Sequence, residues 1–216
     1  MALNANKIVG GGKKVAALPP ENYMARVVQV LDLGVQNQRA YEGKEKPPAN
    51  EINVTYELVT EFMEGDDGQP DPTRPRWVSE RFPLFNLRSE RARSTQRYMA
   101  LDPSLEHGGD WSQLVGKACL VAVVNNEKGG RVYNNVGSLA PPIKGIPVPA
   151  LVNDTKVFDM EAPDMEVFTS LPDFLKEIMQ NNINYEGSAL QAAINGEAAP
   201  VPEPAVEDPV DEDIPL

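Results

Sequence analysis

Residues Glu51 to Phe62 alternate with a period of two. Ile52, Val54, Tyr56, Leu58 and Phe62 oppose Asn53, Thr55, Glu57 and Glu61, which predicts a strand with one face in a core and the other outward. Asn22 to Leu33 predicts an earlier strand, with Tyr23, Ala25, Val27, Leu31 and Leu33 on the core parity and Gly34 as its end. Trp77 to Leu84 alternates again, setting Val78, Phe82 and Leu84 against an outward Trp77, Ser79 and Arg81. Ala118 to Val124 is an apolar run rich in Val, suited to a strand buried on both faces. The polar turn Asn125 to Gly130, with two glycines that tolerate positive φ, then predicts a hairpin into Arg131 to Leu139. In that second strand Val132 and Val136 fall on the core parity, while Arg131, Tyr133 and Asn135 point outward. Lys156 to Phe158 predicts one more short strand.

Helical signals are fewer. Asn86 to Leu101 reads as a basic helix, and Asp110 as the cap of a turn through Trp111 to Leu114. Ser170 precedes an apolar stripe of Leu171, Phe174, Leu175 and Ile178 at helical spacing and reads as its N-cap; Ser188 to Ile194 predicts a short second helix. Long polar loops fill the rest, Val35 to Asn50 with Lys44 and Lys46 among them. Short strands with period-two faces, a helical segment before the central hairpin and long loops together predict a mainly β fold. The expected architecture is an OB-fold-like Greek-key barrel with one or two short helices.

Composition sets the ends of that domain. Met1 to Pro20 holds Lys7, Lys13 and Lys14 around three glycines and predicts a flexible basic arm, so the domain is expected over 21–195 with its helix near the C-terminus. Of the net charge of −12, seven units lie on the acids of Gly196 to Leu216, which contains no base, leaving five on the remainder. This stretch, 196–216, predicts a disordered acidic tail. Seven of the ten arginines fall between Arg74 and Arg97, against only Glu80 and Glu90. No apolar leader follows the early lysines, so the expected location is cytoplasmic.

The chemistry of catalysis is sparse. His107 is the single histidine and stands beside two glycines, and Cys119 is the single cysteine, inside the most apolar run. A histidine-based triad, a Cys/His zinc site and an intramolecular disulfide are therefore excluded, and no phosphate-loop or dinucleotide motif occurs. The expectation is a protein that is not an enzyme and carries no cofactor or metal. Its outward faces instead interleave aromatic rings with cations, the combination on which single-stranded nucleic acid stacks its bases and rests its phosphates. The same pattern also describes an ordinary half-buried hairpin with a polar outside. Candidate DNA-binding residues are Trp77, Arg81, Arg131 and Tyr133, flanked by Arg88, Arg91, Arg93 and Arg97 and by Lys44, Lys46 and Lys128.

The succession LPPENYMARVVQVLDLGVQ, GKACLVAVVNNEKGGRVYNNVGSLAPP and SLPDFLKEI resembles the single-stranded DNA-binding proteins of tailed bacteriophages over residues 18 to 180. The resemblance implies an OB-fold core, ssDNA binding without strong sequence preference, service to replication and recombination, and a host-cell cytoplasmic location. The last residues, Asp211, Glu212, Asp213, Ile214, Pro215 and Leu216, are similar to the acidic tip of bacterial single-strand binding proteins, with Leu in place of the terminal Phe. A terminal apolar side chain and α-carboxylate behind a run of acids suit docking into a basic-rimmed pocket of a replication or recombination protein. Homo-oligomers are compatible with all of this. Two other classes stay open: an acidic DNA mimic that inhibits a host nucleic-acid-binding enzyme, and a metal-dependent nuclease built on a barrel.

Overall fold

The computed structural model describes residues 15–40 and 42–197; the expected N-terminal arm up to residue 14 and the acidic tail from residue 198 lie outside them. In chain order the elements are β1 (Asn22–Gln36), β2 (Ala49–Glu64), β3 (Pro70–Pro83), α1 (Arg93–Leu101), a 3-10 turn (Trp111–Leu114), β4 (Ala118–Lys128), β5 (Arg131–Ala140), β6 (Lys156–Phe158), α2 (Met165–Ser170), α3 (Asp173–Gln180) and α4 (Ala189–Asn195). The strands lie in the order β3-β2-β1-β4-β5, each antiparallel to its neighbour, and β6 runs parallel to β1. The two outermost strands, β3 and β5, therefore run parallel to each other and approach across a seam. With α1 inserted between β3 and β4, this is a nearly closed five-stranded barrel of the OB type.

A bulge in β1 decides which residues share the barrel. Val27 pairs with Tyr56 but Gln29 pairs with Thr55, so Val28 is an extra residue and the parity flips there. Tyr23, Ala25, Val27 and Val30 join Ile52, Val54, Tyr56 and Leu58 in the barrel core. Leu31 and Leu33, expected on the same face as Val27, point the other way instead. They build a second core with Phe158, Phe168, Leu171, Leu175 and Met179. β1 also runs on past Gly34, which takes φ +71°.

Two devices close the seam between β3 and β5. Arg97 of α1 donates to the Glu80 carboxylate on β3 at 2.8 and 3.1 Å and to the Gly137 carbonyl on β5 at 3.0 Å. Glu80 also accepts from the Tyr56 hydroxyl at 3.0 Å, so its buried carboxylate has three donor contacts. The second device is the chain before β1. Leu18, expected in a flexible arm, is 4% exposed and sits in the barrel core. Its N–H donates to Asn134 Oδ1 at 2.9 Å, and its carbonyl accepts from Asn125 and Asn134 at 3.1 and 3.0 Å. Burying a leucine is worth roughly 1.5–3 kcal/mol, which together with these bonds offsets the entropy of ordering so short a segment.

Several local expectations change for physical reasons. β3 starts at Pro70, not Trp77; as an edge strand it tolerates Pro70, Pro72 and Pro75, whose missing N–H groups also keep other strands from pairing there. The basic helix begins only at Arg93, because residues 86–92 form turns. Val132 is 49% exposed, since the β4–β5 ribbon outruns the barrel at its tip. Ser170 closes α2 rather than capping the next helix, donating its hydroxyl to the Val167 carbonyl; Pro172 is the N-cap of α3, on which Phe174 is exposed. Asp110 does cap its turn, accepting from the Ser112 N–H, and Ser188 is the N-cap of α4, accepting from the Gln191 N–H.

Candidate functional site

On β3 the outward side chains are Trp77, Ser79 and Arg81, opposite Glu57, Thr55 and Asn53 of β2. These three β2 residues face out of the barrel yet are buried, and over Glu57 lie Val152 and Asn153. Glu57 accepts from the Val152 N–H at 2.6 Å, Asn153 Nδ2 at 2.7 Å and Trp77 Nε1 at 3.3 Å. A carboxylate taken out of water needs such donors, and here they fix the indole by its edge while the ring stays 45% exposed. Arg81 forms an ion pair with Glu51, which also accepts from Gln38 at 2.7 Å. Arg81 thus anchors the start of the loop that carries Lys44 and Lys46.

Across the seam, Tyr133 is outward on β5, opposite Asn126, and 47% exposed. Trp77 and Tyr133 accordingly lie on the outer surface of the two strands that flank the seam. At the ribbon tip Lys128 and Arg131 are register partners around Gly129 and Gly130, whose φ values are +59° and +71°. Like charges directly opposite each other destabilise a hairpin, so this tip keeps its two cations at a cost to folding.

The other cations gather at the far end of β3. Pro83 pairs with Glu51 and the Leu84 N–H donates to the Asn50 carbonyl at 2.7 Å, so the turn carrying Arg88 and Arg91 and the loop carrying Lys44 and Lys46 leave the barrel at one end. Arg88, Arg91 and Arg93 are exposed and form no ion pair with the described residues. Phe85, 51% exposed, precedes them and was not singled out in the sequence, where Leu84 looked like the end of the pattern. Arg97 does not join this surface. Its side chain is 6% exposed and committed to Glu80 and Gly137, so it holds the barrel closed instead of facing a ligand.

Elsewhere the surface is hostile to phosphate. Two adjoining cavities of about 570 and 300 Å3 share Asp32 and Asn50 and are lined further by Glu161, Asp110 and Asp159. Burial pushes the Asp32 carboxyl above the usual aspartate range, against the lowering effect of the Gly34 N–H, and nearby Asp159 adds to the rise. Cys119 is buried, and burial together with the Glu80 charge pushes its thiol up to about 12. Among the described residues no group of three or more His, Cys, Asp or Glu is placed to hold a metal ion, and no helix is long and apolar enough to cross a membrane. The expected docking residues Asp211 to Leu216 lie outside the described residues. No protein-family model matches the chain, and no curated protein matches it.

Proposed function

We propose that the protein binds single-stranded DNA without strong sequence preference, as a phage-type ssDNA-binding protein that protects strands during replication and recombination in the host cytoplasm. The observation that carries this reading is the pair of half-exposed rings, Trp77 and Tyr133, on the strands flanking the barrel seam, with unpaired cations at both ends. Aromatic faces accept any base, and cations track the backbone. The protein acts by binding and not by catalysis, and its acidic tail docks replication or recombination proteins through Asp211 to Leu216. An acidic mimic of DNA would instead spread carboxylates over the surface that here carries the rings and cations.

Fluorescence anisotropy with oligo(dT) against duplex DNA, at several salt concentrations, tests the reading. If the five unpaired cations Arg88, Arg91, Arg93, Lys128 and Arg131 each meet a phosphate, the slope of log K against log salt is roughly −3.5. A slope near zero, preference for duplex, or metal-dependent loss of the oligonucleotide overturns it.

A further inference from the structure

Arg26, Glu57 and Trp77 are register partners on β1, β2 and β3, and their chain neighbours Ala25, Val27, Tyr56, Leu58 and Val78 lie in the barrel core. The three therefore form one row across the outer face. The chain between β5 and β6 is fastened along that row. Arg26 donates through Nε to the Pro149 carbonyl at 2.7 Å and through Nη2 to the Val148 carbonyl at 2.9 Å. At the next position of the row, Glu57 accepts the Val152 N–H on Oε1 at 2.6 Å and the Asn153 side-chain amide on Oε2 at 2.7 Å. Pro149 has a fixed φ and holds Val148 extended, so this strap is ordered at a small cost in entropy.

Glu57 is fully buried, and its Oε2 also takes the Trp77 indole N–H at 3.3 Å. The backbone of Val152 and the edge of the indole are thus separated only by the width of one carboxylate. Both side chains are about half exposed, Val152 at 48% and Trp77 at 45%. An apolar step beside a flat ring suits a planar base, which buries its face on the ring and its edge against the step.

We propose that Val152 is a base-contacting residue: the strap forms one wall of a slot on Trp77, in which a base of the bound strand stacks on the indole with its edge against the valine methyls. The inference rests on the ssDNA reading above and adds a binding residue to it. Glu57 is the positioning residue, since its one carboxylate holds both sides of the slot. Valine has no hydrogen-bonding side chain, so the contact admits any base. Nothing in the sequence marks Val152, because residues 141–155 follow neither a helical nor a strand period and meet Glu57 from 95 positions away.

The test is oligo(dT) binding by anisotropy at several salt concentrations, with indole fluorescence as a second readout. Val152→Ala removes two methyl groups from a half-exposed position and should weaken binding about three- to tenfold, with the slope of log K against log salt unchanged. Glu57→Gln should also weaken binding. A carboxylate that acted only through its charge would do the reverse, because its loss relieves repulsion of phosphate. In the free protein Glu57→Gln should move the Trp77 emission to longer wavelength as the ring loosens into water, against a constant contribution from the buried Trp111. In the Trp77→Ala background Val152→Ala should change affinity very little. Wild-type affinity in Val152→Ala, or a loss that persists undiminished in Trp77→Ala, overturns the slot and leaves the ssDNA reading standing. Tighter binding or unshifted emission in Glu57→Gln overturns its positioning role; Asn153→Ala, which removes a donor from the same carboxylate oxygen, takes its place if Glu57→Gln fails to fold. Failure of the wild-type chain to bind oligo(dT) at any salt overturns both the slot and the reading it rests on.

Discussion

Arg88 and Arg97 are nine positions apart in one basic stretch and belong to different physics. Arg88 is exposed and unpaired, whereas Arg97 is buried against an equally buried Glu80. Removing one partner of such a pair leaves an uncompensated charge, so Arg97→Ala should lower unfolding free energy by roughly 3–5 kcal/mol in a urea titration. Arg88→Ala should leave that titration unchanged and weaken ssDNA binding. The opposite outcome for the two variants would place the interface at the seam-closing arginine. The rings give a second prediction at this scale. Trp77→Ala and Tyr133→Ala should each cost ~1–3 kcal/mol of binding if each ring stacks on a base. A folded double variant with unchanged affinity for oligo(dT) would move the site elsewhere.

At the scale of elements, the second core hangs on the end of β1, and Gly34 is the point where it attaches. A Cβ at Gly34 would meet Asn182 Cγ at 2.8 Å, and the φ of +71° strains any L side chain besides. Gly34→Ala should therefore cost on the order of 1–3 kcal/mol. The loss should appear in hydrogen exchange as faster exchange in β6 and α2 to α4 while β2 and β4 stay protected. Uniform exchange across both cores would mean that the two unfold as one unit. β2 and the β4–β5 hairpin were legible in the sequence because period-two patterning and a Gly-Gly turn report local geometry directly. β1 was legible only up to its bulge, since one extra residue flips every later side chain and leaves no mark on composition. Trp77 and Tyr133 could be read as outward from parity. That Glu57 is outward yet buried, that Arg97 is internal and that Leu18 is core all depend on segments distant in the chain. Residues 148–153, Glu80 and Asn134 supply those contacts, which no local pattern encodes.

For the whole molecule, the balance of charge sets how the body would meet DNA and protein under the proposed function. The described chain ends after α4, whose C-cap Gly196 takes φ +72°, and six of the acids lie beyond Glu197. A coil of nineteen residues would have an end-to-end distance of roughly 24 Å, so the prediction is that a tail of this length returns to the cations of the body. The acids then compete with phosphate for the same cations, and a chain ended at Glu197 should bind oligo(dT) more tightly. The gain should be largest at low salt, where a Debye length of about 30 Å at 0.01 M leaves the tail unscreened. Leu216→Ala separates this electrostatic effect from docking. It alters no charge, so DNA affinity should hold, while a partner that buries the terminal side chain should lose about 2 kcal/mol. Weaker DNA binding on truncation, or replication partners indifferent to Leu216→Ala, would reduce the tail to a solubilising segment.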